Sequence, residues 1–503
     1  MSSTNQPLES ISSKFVTAVS WATLASLIAR VCGFVTSIFI ARYLGSNLLG
    51  MYTIVLSTIG VFSTFLSFGL GLTGSKLVAQ YYINDPKKAG QIISLLLVSL
   101  ATALVIGAGI YWIALPFVSN SYKIPELYSI LKLALPWLIV MCLTQFLESI
   151  LAGLQGFKSL MIVSSLYSVF NLPLILTALF LSGSEVLKGL IIAGFAGSFL
   201  QFFLLLYGVY LRTKKFDIIL SFKGFRQLVH PVFFNFGVPA FIGKLVEQPL
   251  TWLSIFLLVK FTGNPSNVGG LTVITTIRTW ILYFPNLLAG VLLPILTDIY
   301  HTRESSDFNR TLILNQRFLW FVTFPFVILI LAVIRPAIIV FFGSSYGVFW
   351  FSGVLFLLWT ILLPINEVND KAMIAMNKMW LSLLFRIIYL VLFLLSLLIF
   401  VPKLHLAGYV IANGLSYSIY VGIQTIWLKK ITQEHISSFF PLVIFSILSL
   451  AITFFIACLP SVSKVIIYGF ITFFIVLVVE WFCLIRAEEK TLLTSIFKRY
   501  LKR

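Results

Sequence analysis

Four charged side chains sit where an apolar chain should have none: Arg30, the Lys244/Glu247 pair and Arg278. Each lies about ten residues from the nearer end of its apolar run, around 15 Å deep at about 1.5 Å per helical residue. That is too deep for easy snorkelling. A charge near mid-bilayer costs roughly 3 kcal/mol or more, and so tends to face a wet cavity or a partner. Arg30 shares a helical stripe with Ser26, Gly33 and Ser37. Lys244, Glu247, Gln248 and Thr251 form a second stripe, and Arg278 has Thr275 on its face with Thr276 and Thr279 nearby. A cavity lined by these groups is cationic and suits a diphosphate, because Arg presents a planar fork to phosphate and Lys a point charge. The competing arrangement is internal pairing: Lys244 and Glu247 stand at i,i+3 and can neutralise one another. Glu247, if stripped of water, is also a candidate for carrying a coupling proton.

A second group lies nearer the expected cytoplasmic helix ends: Glu148, with Thr144, Gln145 and Gln155 along its stripe, then Glu367, Asp370 and Arg386. These residues either line an inward-facing vestibule or fix helix packing. Pro239, Pro249, Pro285 and Pro294 interrupt two adjacent apolar segments, as gating points or as fixed kinks.

Helices must position these groups. Of 503 residues, 59% are hydrophobic and only 10% charged, with a mean hydropathy of +1.04. A soluble chain of this size carries about a quarter charged residues. The apolar excess must face lipid, where only helices or closed barrels satisfy their backbone. The runs reach about 20 residues, the length of a spanning helix, and lack the alternation of barrel strands. The fold class is therefore all-α integral membrane, with fourteen spans expected at 18–40, 51–72, 91–118, 130–153, 160–182, 188–211, 233–258, 267–293, 318–342, 347–369, 380–401, 404–428, 437–459 and 463–485.

With the N-terminus inside, Lys and Arg on the inner segments outnumber those outside by about three to one. Both termini are therefore expected in the cytoplasm. The net charge of +19 then belongs to the membrane face and calls for no nucleic acid. The chain divides into a tail at 1–17, six helices over 18–211, a basic linker at 212–232, six helices over 233–430, two further helices over 431–485 and a basic tail at 486–503. A short repeat crosses the linker: IFIARYLGSNLLG at 38–50 and IFLLVKFTGNPSNVG at 255–269. Repeated halves are a transporter feature, with substrate sites tending to lie between them.

Several stretches resemble a known family. ARVCGFVTSIFIARYLGSNLLGMYTIV followed by FGLGLTGSKLVAQYY is similar to the opening of polysaccharide-repeat-unit flippases of the multidrug, oligosaccharidyl-lipid and polysaccharide exporter superfamily. LAGLQGFKSLMIVSSLYSVFNLPLIL resembles their fourth and fifth helices. The segment from FGVPAFIGKLVEQPLTWLSIF to LLPILTDIY resembles their seventh and eighth, and VPKLHLAGYVIANGLSYSIY the start of their twelfth. One departure is visible: many relatives have an acidic residue where this chain carries Gln248 and Trp252. The resemblance implies two six-helix bundles around a central cavity, alternating access and a lipid diphosphate-linked oligosaccharide as cargo in a bacterial-type plasma membrane. It further implies that a monomer suffices, with polysaccharide polymerase or export proteins as neighbours. Trp252, Trp280 and Tyr283, near the central charges, are candidates for stacking on sugar rings.

No phosphate-cradling loop, metal-ligand spacing or nucleophile triad is present, so neither a cofactor nor an enzyme is expected. Cys32, Cys142, Cys458 and Cys483 read as small apolar residues. Two alternatives share the architecture: a flippase for peptidoglycan precursor, and a cation-coupled multidrug antiporter, which would favour an acidic cavity over central Arg.

Overall fold

The computed structural model describes residues 8–67, 70–222, 238–283, 285–286, 292–302, 305–432, 440–459 and 462–484. The helices are α1 Leu8–Ser67, α2 Leu70–Tyr81, α3 Pro86–Tyr122, α4 Pro125–Gly153, α5 Phe157–Leu181 and α6 Val186–Lys215. They continue as α7 Val238–Thr262, α8 Ser266–Ile281, α9 Leu292–Thr302, α10 Ser305–Ala337, α11 Trp350–Thr360 and α12 Leu362–Ala375, then α13 Met379–Thr432, α14 Phe440–Ala457 and α15 Val462–Val479. All fourteen expected spans fall on these helices, with 51–72, 267–293 and 347–369 each taking in parts of two. Two pairs of spans are continuous across a bend: α1 turns at Gly45 (φ 67°, ψ 178°) and α13 at His405 (φ 52°, ψ −125°).

One of these interrupted spans carries Arg278. The run 267–293 reads as a single helix, but α8 ends at Ile281, one turn after Arg278. Pro285 is the physical reason: it offers no N–H to the Ile281 carbonyl, and its ring crowds that same oxygen. Arg278 therefore sits in the last turn of α8, just before an interruption at Leu282 after which helical residues resume at Tyr283, with Asn286 N–H donating to Leu282 O at 3.0 Å.

The chain forms two compact units, Met1–Phe256 and Leu257–Arg503. The boundary between the two units falls within α7. Within the first unit, Trp252 of α7 donates its indole N–H to Thr58 Oγ1 at 3.1 Å and stacks on Phe256. The second half of α7 is thus tied to α1. The remainder of that unit packs α4 on α6, α5 on α6, α1 on α5 and α2 on α4. Within the second unit, α10 packs on α14 and α15, α9 on α12, and both α11 and α12 on α13.

Lipid is as apolar as Leu, so helix association in the bilayer relies on close packing and on interhelical hydrogen bonds. Each unit has a glycine under a tryptophan ring. Gly194 of α6 lies against Trp137 of α4, whose indole also donates to Ser198 Oγ at 2.9 Å, and Gly414 of α13 lies against Trp359 of α11.

The internal repeat is visible in the backbone. Gly45 and Gly263 close equivalent helix ends with φ of 67° and 64°. The α4–α5 and α12–α13 turns also match. Gln155 and Asn377 both take positive φ (53° and 59°), and in each turn the next residue donates back to the helix, Gly156 N–H to Leu151 O and Lys378 N–H to Met373 O, both at 2.8 Å. These pairs lie about 220 residues apart, the signature of a duplicated half.

Positive φ costs about 1 kcal/mol or more for a residue with a Cβ. Gly263→Ala meets no atom within 4 Å, so its loss is conformational. Gly263→Ala and Gly45→Ala are each expected to lower stability by about 1 kcal/mol, and His405→Gly to raise it by a similar amount. Thermal unfolding of the three variants in lipid nanodiscs checks the signs.

Candidate functional site

Arg278 is half-buried on α8. Its guanidinium carbon lies 4.0 Å from the ring centroid of Phe356 on α11, a cation–π stack. The phenols of Tyr389, Tyr409 and Tyr417 from α13 are close enough to be felt electrostatically. Those rings form a connected cluster: Tyr389 meets Phe393, Tyr417 and Tyr420 at 5.6 to 5.8 Å, and its hydroxyl accepts from Asn413 Nδ2 at 3.0 Å. Among the described residues no carboxylate comes within ion-pair distance of Arg278. Stacking engages the face of the guanidinium and leaves its in-plane N–H edge for an anion.

Arg30 is exposed on α1, together with Gly33 on the same stripe, where an added Cβ meets nothing within 4 Å; Ser37 is half-buried and bonds the Phe34 carbonyl. Lys244 and Glu247 belong to α7, but their side chains lie outside the described residues. Further along that stripe, Gln248 and Thr251 are exposed. Of the aromatic candidates, Trp252 is committed to Thr58 and Phe256, while Tyr283 is buried and stands 6.5 Å from the Trp280 ring.

The residues nearer the helix ends separate into three settings. Glu367 makes a loose pair with Lys371 at 3.8 Å on a partly exposed face. Asp370 and Arg386 come together: Arg386 Nη2 reaches Asp370 Oδ2 at 3.2 Å. Asp370 is the centre of a dense polar cluster. It accepts from Gln424 Nε2 at 2.9 Å and Ser382 Oγ at 3.0 Å, with Asn366 Nδ2 and the Tyr420 hydroxyl at 3.4 Å. Beside it, Gln316 donates to Asn369 Oδ1 at 2.6 Å and Asn369 to Thr425 Oγ1 at 3.1 Å. The cluster joins α10, α12 and both limbs of α13. It leaves the amide oxygens of Asn366 and Gln424 buried without partners among the described residues.

Glu148, in the first unit, lines a cavity of about 560 Å³ and takes one hydrogen bond, from Gln201 Nε2 of α6 at 2.8 Å. This pair repeats the Asp370–Gln424 pair about 220 residues earlier: an acid before the turn, held by a glutamine on the helix that also carries the Trp-packed glycine.

Sequence reading found the charges and missed the amides. Gln316, Asn366, Asn369, Gln201 and Gln424 are neutral, so a search for intramembrane charge passes over them. The signal that finds them is several Asn and Gln inside otherwise apolar runs, which in lipid must bond to something.

The two acidic positions predict opposite sensitivities. Asp370→Ala strands several buried donors and is expected to cost about 3 kcal/mol. Glu367→Ala removes only a partly exposed pair and is expected to stay within about 0.5 kcal/mol. Chemical or thermal unfolding of the purified variants separates them.

A profile of the polysaccharide biosynthesis protein family matches residues 15–300. No protein of curated function matches the chain in sequence. Among solved structures, the lipid II flippase MurJ in an inward closed conformation aligns over 96% of this chain and 99% of its own, with a TM-score of 0.69 and 16% identity. A multidrug resistance MATE family transporter of the MOP superfamily, inward-facing, aligns over 80% of this chain and 94% of its own, with a TM-score of 0.68 and 15% identity. An outward-facing MATE family transporter gives 0.60 at 16% identity, over 83% and 95%. With its fold shared by these transporters and the match spanning more than half its length, the chain belongs to the polysaccharide biosynthesis protein family.

Proposed function

We propose that the chain is a flippase that carries a lipid diphosphate-linked oligosaccharide from the cytoplasmic to the outer leaflet, by alternating access, for cell-surface polysaccharide assembly. One observation carries the reading: Arg278, stacked on Phe356 in a broken helix, has no carboxylate to neutralise it among the described residues. A cation at that depth requires an anion, and a diphosphate supplies one. Arg30, exposed on its small-residue stripe, is the second phosphate group contact, with Lys244 as a third. In this reading both termini are cytoplasmic, the membrane is a bacterial-type plasma membrane, the monomer suffices, and polysaccharide polymerase or export proteins act next to it. Family membership supports the polysaccharide branch.

A second reading has an observation of its own. The MurJ alignment takes in 96% of the chain, against 80% for the inward-facing MATE transporter. That favours a peptidoglycan-precursor lipid as the alternative cargo.

Depletion of the gene in its host, followed by mass spectrometry of lipid-linked saccharides, decides between them. The expected outcome is accumulation of a diphosphate-linked repeat unit and loss of one surface polymer. Accumulated peptidoglycan precursor with lysis selects the second reading, and unchanged lipid intermediates with new sensitivity to cationic drugs overturn both. In the same cells Arg278→Ala is expected to lower polymer export about tenfold or more, equivalent to at least about 1.4 kcal/mol. Arg278→Lys is expected to recover only part, because it lacks the planar stack.

A further inference from the structure

The two acid–glutamine pairs differ in what completes them. In the second unit, Ser382 and Arg386 of α13 supply Asp370 with a hydroxyl and a guanidinium, so the chain provides its own cation. Ser382 and Arg386 stand at the same offset after Asn377 as Leu160 and Ser164 do after Gln155. Glu148 and Asp370 stand at one common offset before those residues. The correspondence is therefore fixed by a shared turn. In the first unit both counterparts, Leu160 and Ser164, line the cavity beside Glu148. A serine holds the arginine's position in the repeat, and it borders open volume.

Glu148 is half-buried and bonded by Gln201 alone among the described residues; no basic side chain there comes within ion-pair distance. A carboxylate in a membrane helix without a counter-ion is costly. Two serines on the other walls offer acceptors, and Gln145 adds an amide with a carbonyl oxygen as well as N–H groups. Ser149 Oγ gives its proton to the Phe146 carbonyl at 2.7 Å and Ser67 Oγ to Thr64 at 3.1 Å, so both hydroxyl oxygens turn lone pairs outward. At about 560 Å³ the cavity falls within the usual range of small-molecule sites, roughly 300–1,000 Å³.

We infer that the cavity beside Glu148 binds a nitrogen cation from outside the chain, of the ammonium or guanidinium class, in the role that Arg386 fills for Asp370. The N–H groups of such a ligand reach Glu148 and the serine oxygens, and its charge replaces the missing arginine. The source is either a free small cation or the protonated amine of an amino sugar.

The test is thermal unfolding of the full chain in lipid nanodiscs, with methylguanidinium as the probe. Tetramethylammonium, equal in charge but without N–H donors, is the control. Methylguanidinium is expected to raise the unfolding temperature of the unaltered chain by several degrees, as a ligand of the folded state does, and tetramethylammonium to leave it in place. Ser164→Arg, which installs the second unit's cation, is expected to unfold at higher temperature and to lose the response. Ala152→Leu narrows the same cavity without altering Glu148 and is also expected to lose it, so a Ser164→Arg chain that fails to fold leaves the question decidable. No response in the unaltered chain, an equal response to both cations, or a response that survives either substitution overturns the inference. Competition then identifies the source: displacement of methylguanidinium by glucosamine but not by N-acetylglucosamine assigns an amino sugar, and displacement by neither assigns a free cation. The readout is binding to purified protein, so it stands or falls separately from the transport assay.

Discussion

The hydrocarbon layer supplies no water, and that constraint organises everything else in this protein. A polar group in a spanning helix is costly unless it finds a partner within the protein or from a ligand. The serines and threonines meet it locally: Thr36, Thr58, Ser94 and Thr323 each donate to the carbonyl one turn back. One such carbonyl satisfies only part of an amide, as where Asn315 Nδ2 donates to Thr311 O at 2.7 Å, and none of a carboxylate. Amides and acids therefore bond between helices, and Asp370 with its Gln, Ser, Asn, Tyr and Arg partners is the densest result.

The same rule explains why so much of the fold was legible. A spanning helix must be apolar for about 20 residues, and its ends must be polar, so the fourteen runs read directly from composition. The turn residues were legible too where they imposed a backbone: the FTG and YLG sequences that suggested a repeat hold the two positive-φ glycines, Gly45 and Gly263. The break after Ile281 was harder. Pro285 announces a disturbed helix, but tertiary packing decides whether a proline bends a helix or ends it.

The candidate site was half legible for an electrostatic reason. Charge is rare in lipid, so Arg30, Glu148, Arg278, Asp370 and Arg386 stood out against their surroundings. Their partners were not legible. Nothing in the run LLPINEVNDKA says that Asp370 is bonded from α13 while Glu367, one turn earlier, reaches only Lys371. Helix rotation makes that distinction, since i and i+3 lie near but not on one line of the surface.

The duplicated halves have kept one architecture and changed one charge. The turn, the glutamine, and the glycine under tryptophan are retained in both units, and all of these serve packing. Among the positions that differ, Leu160 against Ser382 removes a hydroxyl, and Ser164 against Arg386 alters the charge of the site. A guanidinium built into the chain saturates Asp370 and locks α12 to α13. Replacing it with serine leaves the same scaffold with an unmet negative charge and the room to meet it. Substitution at a single helix face thus converts a packing interaction into a binding site while the surrounding bonds, which hold the helices, stay in place.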